Sequence, residues 1–253
     1  MKSGLLKAID LCKSYASNGV QNHVLNMVNT EIYEGDFTVI MGSSGAGKST
    51  LLYALSGMDL PTDGKVIYKG KEIDQLKEKE MASLRSQEFG FVFQQTHLVS
   101  NLTLMENVTV TGYQGKKRSS AEVRQRAKEL LTQMHVEQAA DRLPCQVSGG
   151  EAQRAAIARA LINDPGIIFA DEPTGALNKR NTEEVLNLLT EIHQRGQSIL
   201  MVTHDIRAAV RASRLLYLED GKIIGEMPLP PYQKEEEKSR ERQVDAWLAS
   251  NEW

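Results

Sequence analysis

The chain has 253 residues, 41% of them hydrophobic, with 30 Lys+Arg against 33 Asp+Glu and a net charge of −3. That content can bury a full core as one large or two modest lobes, while the charge balance lacks the basic excess of a nucleic-acid binder, so no nucleic-acid partner is expected. No run approaches the roughly 18 apolar residues of a membrane span, no basic-apolar leader opens the chain, and Cys12 and Cys145 lie far apart without metal-ligand spacing. A soluble protein of a reducing compartment with two simply buried thiols is the expectation.

In chain order, residues 5–11 read as an apolar strand, followed by Tyr15. Phe37–Met41 reads as a buried strand running into Gly42-Ser43-Ser44-Gly45-Ala46-Gly47-Lys48-Ser49 and a helix over 48–56 that includes Thr50. The segment fits G-x-x-x-x-G-K-[ST]: glycines let backbone N–H groups approach phosphate oxygens, Lys48 reaches the β- and γ-phosphates, and Ser49 offers its hydroxyl to Mg²⁺. The helix N-terminus behind the loop favours the same anion. ATP and Mg²⁺ are the expected ligands; a glycine-rich turn with an exposed lysine is the plainer alternative.

Phe89–Phe93 reads as a further strand ending at Gln94, and after it helices dominate over 95–163. Leu98, Leu102, Leu104, Met105 and Val108 form an apolar group whose spacing suits either core packing or the lining of a groove. Lys116-Lys117-Arg118 precedes a helix reaching about residue 135; Ser119 and Glu122 have capping-box spacing, so a solvated loop is the better reading of the basic cluster. Ser148-Gly149-Gly150 opens another helix over 151–163, an N-cap at the least and a second terminus able to receive an anion.

Residues 167–170 form a short apolar run suited to a covered parallel strand, and Asp171 and Glu172 sit where it surfaces. Asp171 is placed to hold Mg²⁺ through its waters, and Glu172 to orient or polarise the water attacking the γ-phosphate. An amphipathic helix over 181–195 sets Val185, Leu188, Leu189 and Ile192 on one face and stops at Gly196. A strand over 199–203 leads to His204, and Asp220-Gly221 turns a hairpin between 215–219 and 222–225. These strands alternating with helices are the sign of an α/β fold with a parallel sheet. Beyond Pro228-Leu229-Pro230-Pro231, a charged run over 234–242 extends as a helix with Val244, Trp247 and Leu248 on one face; Trp247 and Trp253 are the only tryptophans. Residues 226–253 hold seven acids and four bases, which accounts for the whole net charge of −3. Docking on the chain's own body is the simplest expectation for this tail.

The phosphate loop, Gln94, Val147-Ser148-Gly149-Gly150-Glu151, the segment ending in Asp171-Glu172, and His204, in that order, resemble the ATP-binding-cassette (ABC) ATPases over about residues 1–225. The resemblance implies a P-loop NTPase (RecA-like) core with a mostly parallel sheet, an N-terminal antiparallel β part and a helical signature subdomain. Residues 1–94 and 164–225 would form the core, 95–163 the helical subdomain and 226–253 a charged extension. It further implies that Tyr15 stacks on adenine (against an ordinary half-buried strand tyrosine), that Gln94 ligates Mg²⁺ and feels the membrane partner, and that His204 hydrogen-bonds the γ-phosphate. Ser148, Gly149, Gly150 and Glu151 would contact the γ-phosphate bound to the other protomer of a head-to-tail homodimer holding two ATP molecules. A coupling helix of an integral membrane permease would dock near residues 94–108, placing the protein at the cytoplasmic face of the cell membrane.

Val147 and Glu151 depart from the family's L-S-G-G-Q, and Asn178 stands where the family has an aspartate across the dimer seam. Slower or less tightly coupled hydrolysis is expected from Asn178. Residues 91–95 and 169–177 resemble the group working with long-loop permeases in macrolide export, lipoprotein release and bacitracin-type antimicrobial-peptide resistance. Peptide or drug resistance ranks first; lipoprotein release, a non-transport ABC ATPase of DNA repair or the ribosome, and a non-hydrolysing nucleotide sensor are the alternatives.

Overall fold

The computed structural model describes residues 3–17 and 20–251; Trp253 lies outside them. The first part of the chain forms β1 (Gly4–Ser17), β2 (Val20–Tyr33), β3 (Phe37–Met41), α1 (Lys48–Leu55), β4 (Asp63–Tyr68), β5 (Lys71–Glu72) and α2 (Glu78–Glu88). The middle forms β6 (Phe89–Phe93), α3 (Leu104–Gly115), α4 (Ser120–Gln133), α5 (Gly149–Leu161), β7 (Ile167–Asp171) and α6 (Lys179–Gln194). The last part forms β8 (Ser198–Val202), α7 (Ile206–Ala209), β9 (Arg214–Glu219), β10 (Lys222–Pro228) and α8 (Glu237–Ala249). They gather into two compact units, one of residues up to 81 together with those from 196 onward, the other of Ala82–Arg195.

The first unit carries an antiparallel sheet, β2-β1-β4-β5, and a group ordered β10-β9-β3-β8. There β3 runs parallel to both β8 and β9, and β10 returns antiparallel to β9. Every residue of β3 and β8 is buried, as suits strands covered on both faces, and both read as largely apolar runs, with Thr38 inside β3 and Ser198 opening β8. Asp220 (φ 45°) and Gly221 (φ 71°) are both left-handed, as a two-residue turn matching strand twist requires. Here β10 continues past the expected end at 225 to Pro228, whose missing N–H is tolerated at the end of an edge strand.

The sequence reading overlooked β2 and β4, and the backbone explains β2. Register shifts between β1 and β2 accompany left-handed residues at Asp10 (φ 48°) and Met27 (φ 49°). These bulges spoil the two-residue alternation, so the buried positions of β2, Leu25, Val28 and Ile32, fall at intervals more typical of a helix. Asn29 braces the bulge: its Oδ1 accepts from the Asp10 N–H (3.0 Å) and its Nδ2 donates to Asp10 Oδ1 (2.8 Å). Cys12 sits in the same distortion, accepting from the Met27 N–H at 3.3 Å. It is only half-buried and Cys145 is exposed, so neither is the buried thiol expected.

The tail docks on its own unit. Val244 and Leu248 are buried, Trp247 packs edge-on to Tyr217, and the nearly buried Arg240 guanidinium donates to the carbonyls of Pro230 and Ala212.

In the second unit β6 and β7 pair in parallel, Phe89 opposite Ile167 through Phe93 opposite Asp171. Phe169 stacks on Phe91 and takes the edge of Phe89, and α3, α4 and α5 complete the helical layer. Capping boxes start α3 (Thr103 with Glu106) and α4 (Ser119 with Glu122). Leu104 and Val108 are completely buried, so these two belong to the core and line no groove; Leu98, Leu102 and Met105 are half-buried. The basic cluster is also more than a solvated loop. Lys117 donates to the Gln87 and Asn163 carbonyls, and Arg118 to the Ile162 carbonyl beyond the end of α5 and to Asp164. The positive ends thus satisfy carbonyls that a helix terminus leaves open.

Candidate nucleotide site

The sequence-predicted residues fall into two groups, one in each unit. In the first unit, the loop after β3 holds Gly42 (φ 155°), Gly45 (φ 85°) and Gly47 (φ 99°) in backbone conformations that side-chain-bearing residues rarely adopt. At Gly42 a Cβ would stand 2.0 Å from the Leu218 carbonyl oxygen, and at Gly47 2.9 Å from that of Val24, so β-carbons are excluded by close backbone approach as well. Lys48 folds back, its Nζ donating to the Gly42 and Ser43 carbonyls at 2.8 Å each. Ser43 donates to Glu219, and Ser43, Ser44 and Gly45 are exposed while Ala46 and Gly47 are buried beneath them. The cap of α1 is Gly47 itself, with no side-chain cap hydrogen bond. The result is a concave run of backbone with a lysine across it and a helix dipole behind it, an anion cradle.

Parallel pairing of β3 with β8 puts Ile40 opposite Val202, and Thr203 donates its N–H to the Ile40 carbonyl. The loop following β8 therefore leaves from the same strand ends as the phosphate loop. His204 is exposed there, between buried Thr203 and half-buried Asp205, whose carboxylate caps α7 by accepting from the Arg207 N–H. Tyr15, on β1, is 43% exposed and its hydroxyl donates to Asp59.

In the second unit, the register of β6 with β7 brings Gln94 and Asp171-Glu172 out at adjacent strand ends. Gln94 lies against the backbone of Gly175, where a Cβ would come within 2.9 Å of its Nε2. Glu172 has φ 45°, a left-handed conformation costing a residue of its size about 1–2 kcal/mol. A residue that the sequence reading missed organises this corner: Gln153 of α5, 1% exposed, donates to the Phe93 and Pro173 carbonyls at 2.9 and 2.8 Å. Its amide joins the two strand ends, and the one signal for it was a glutamine on the alanine-rich face of a helix.

Ser148 is the N-cap of α5, as read, and the helix begins at Gly149, two residues earlier than the expected 151. Ser148 accepts from the Glu151 N–H, while the Glu151 carboxylate accepts from the Ser148 N–H (2.8 Å) and hydroxyl (2.7 Å). Those hydrogen bonds from Ser148 hold the Glu151 carboxyl below its ordinary range. Gln, as in the family consensus, can make the same reciprocal cap, so Glu151 keeps the device and adds charge at the positive end of a helix. Gly150 is pressed against Asn181, and Asn178 caps α6 by accepting from the Asn181 N–H at 2.9 Å.

Among the described residues no three His, Cys, Asp or Glu side chains cluster as a metal cage. Oxygen donors are instead presented within each unit separately: the amide of Gln94 and the carboxylate of Asp171 at adjacent strand ends in the second, and the hydroxyl of Ser49 at the start of α1 in the first. Oxygen donors of this kind suit Mg²⁺, which keeps several waters and is otherwise held by substrate phosphates.

The family model for the ABC transporter matches residues 25–175, more than half of the chain. The chain belongs to the ABC transporter family. Solved structures similar to it include a dimeric structure of the ABC transporter cassette MJ0796, 39% identical, covering 90% of this chain and 100% of that one with a TM-score of 0.84. A post-hydrolysis state of the MJ0796 cassette, bound to ADP and Pi, matches at 38% identity, the same coverage and a TM-score of 0.83. The cbiO1 protein of Clostridium perfringens, part of the transporter complex cbiONQ, is 28% identical, covering 96% of this chain and 93% of that one with a TM-score of 0.80. This chain is thus an ABC ATPase cassette, an α/β P-loop NTPase with an antiparallel β part and a mixed, mostly parallel sheet with helices. Among its described residues no helix is long and apolar enough to cross a membrane.

Proposed function

We propose that this cassette closes as a homodimer on two ATP–Mg²⁺, hydrolyses them, and so drives an integral membrane permease from the cytoplasmic face of the cell membrane, in resistance to or export of antimicrobial peptides or drugs. The observation that carries the nucleotide reading is the cradle of Gly42, Gly45 and Gly47 in front of α1, with Lys48 across it. Backbone N–H groups of 42–47, with Lys48, Ser49 and Thr50, bind the phosphates, and Tyr15 supports the adenine. Ser49, Gln94 and Asp171 hold Mg²⁺, which neutralises charge developing on the phosphates. Glu172 orients and polarises the attacking water, and His204 hydrogen-bonds the γ-phosphate. Ser148, Gly149, Gly150 and Glu151 present the α5 terminus to the nucleotide of the other protomer; the dimeric state of the MJ0796 cassette supports this part.

Residues 1–94 and 164–225 act as the ATPase core, 95–163 as the helical subdomain and 226–253 as an extension. The permease docks near 94–108, where exposed Val99 and the neighbouring Val110 and Tyr113 add apolar surface to half-buried Leu98, Leu102 and Met105. Two measurements test the proposal. Glu172→Gln is expected to cut multiple-turnover phosphate release by at least about 100-fold while preserving ATP binding and trapping a dimer seen by light scattering; unchanged turnover would remove Glu172 from its role. Gentle purification of the tagged chain from its host membranes is expected to bring down a permease with a large extracytoplasmic region that stimulates the ATPase. Recovery with ribosomes or nucleic acid would overturn the transport assignment, and a lipoprotein-releasing permease would overturn the resistance assignment.

A further inference from the structure

Lys13 is 8% exposed, unusual for a lysine, and nothing in the β1–β4 pairing calls for an ammonium there. Its Nζ donates to Asp59 Oδ1 at 2.5 Å and to the Leu60 carbonyl at 2.7 Å, and stands over the Tyr15 ring, 4.9 Å from its centroid. The other oxygen of the same carboxylate, Asp59 Oδ2, accepts the Tyr15 hydroxyl at 2.7 Å. The ring is therefore held at its tip by a carboxylate and covered on one face by a cation, which leaves the opposite face for stacking.

The charges agree with this picture. Burial alone would raise the Asp59 carboxyl, but hydrogen bonds from Lys13 and Tyr15 outweigh it and hold the group below its ordinary range, ionised. Burial and the Asp59 carboxylate together push the Tyr15 phenol up, so it stays protonated and able to donate.

We infer that Asp59 and Lys13 are positioning residues that fix the Tyr15 ring for the nucleobase, so that they set affinity for the base of the nucleotide while leaving its phosphates untouched. The inference rests on the proposed stacking of adenine on Tyr15. A tyrosine already locked in place gives up little freedom when a base lands on it, whereas an untethered exposed ring must be ordered on binding, a cost of about three- to tenfold in affinity.

The test compares Mg²⁺–ATP with Mg²⁺–tripolyphosphate, which has phosphates and no base, by equilibrium titration of the full chain. Asp59→Ala is expected to weaken ATP binding three- to tenfold, raise KM for ATP with kcat unchanged, and leave tripolyphosphate binding as it was; Asp59→Asn, which keeps an oxygen acceptor for the phenol, recovers part of the loss. Should Asp59→Ala fail to fold because Lys13 is stranded, Tyr15→Phe removes the anchoring hydroxyl alone and is expected to show the same selective loss. Equal weakening of both ligands would overturn the inference by making the cluster merely structural. Unchanged ATP binding in both variants, with Tyr15→Ala still weakening ATP, would overturn positioning but keep stacking. No effect of Tyr15→Ala on ATP would remove the stacking reading and this inference with it.

Discussion

Two helix termini in this cassette solve the same problem in opposite ways. The first N–H groups of any α-helix lack intrahelical partners. At α1 the cap is Gly47, backbone is packed too tightly for a β-carbon, and no side chain closes the end. At α5 the cap is Ser148, closed reciprocally by Glu151. The first end has no side-chain cap and carries Lys48 beside it; at the second, Ser148 and Glu151 satisfy the Glu151 and Ser148 N–H groups in the isolated chain, so an anion arriving there meets the remaining amides next to a carboxylate. The difference teaches that helix dipoles alone do not define a phosphate site: the cap sets how many amides remain for an anion and what charge stands beside them.

That contrast can be broken from either side. The largest effect is expected from Gly47→Ala, which forces a β-carbon into a left-handed position against the Val24 carbonyl. ATP affinity should fall by more than about 100-fold, with a stability loss of about 1–3 kcal/mol in urea unfolding; wild-type affinity would show that the cradle is not made by backbone. Next, Ser148→Ala removes the side-chain cap of α5 and should lower stability by about 1 kcal/mol, while ATP binding to the monomer stays unchanged. If monomer affinity fell as well, the two ends would not be independent.

A smaller effect concerns pH. The Glu151 carboxyl is held below its ordinary range in the folded chain. Its contribution is therefore fully present above the unfolded value, near pH 4.3, and is lost as pH falls through the lower folded value. Melting temperatures measured from about pH 5 to pH 3 should show a shallower acid decline for Glu151→Gln than for the wild type. Parallel profiles would mean that Glu151 titrates alike folded and unfolded. The smallest change in stability is expected from Asn178→Asp, because the two residues cap helices about equally well. Thermal stability should hardly move, so an increase in ATPase cooperativity would isolate the effect of charge, and an unchanged rate and cooperativity would dismiss the idea that Asn178 slows coupling.

How much of this was legible in the sequence follows from how local each cause is. The glycines of the phosphate loop, the largely apolar runs of β3 and β8, and the caps at Ser119 and Ser148 are dictated by neighbours within a few residues, and they read plainly. The strand β2 did not, because bulges at Asp10 and Met27 displaced its buried residues from strand spacing. Leu104 and Val108 share helical spacing with half-buried Met105, and periodicity alone gives a core wall and a groove wall the same signature. The Lys13–Asp59–Tyr15 cluster joins residues 44 and 46 positions apart, and no local pattern marks Asp59 at all. Lys117 and Arg118 looked like free surface charge because the carbonyls they satisfy are supplied by segments 30 and 46 residues away for Lys117 and 44 for Arg118.

The Asp220-Gly221 turn invites a protein engineer to treat it as a spare corner for a tag, a reporter or a new chain terminus. It is a poor choice. The Gly221 carbonyl accepts from the Asn26 N–H, and its N–H donates to the Ala46 carbonyl within the phosphate loop. A graft at this corner would tug at β2 and at the cradle together, so a fusion made there could express and still bind nucleotide weakly, with nothing in the inserted sequence to explain the loss.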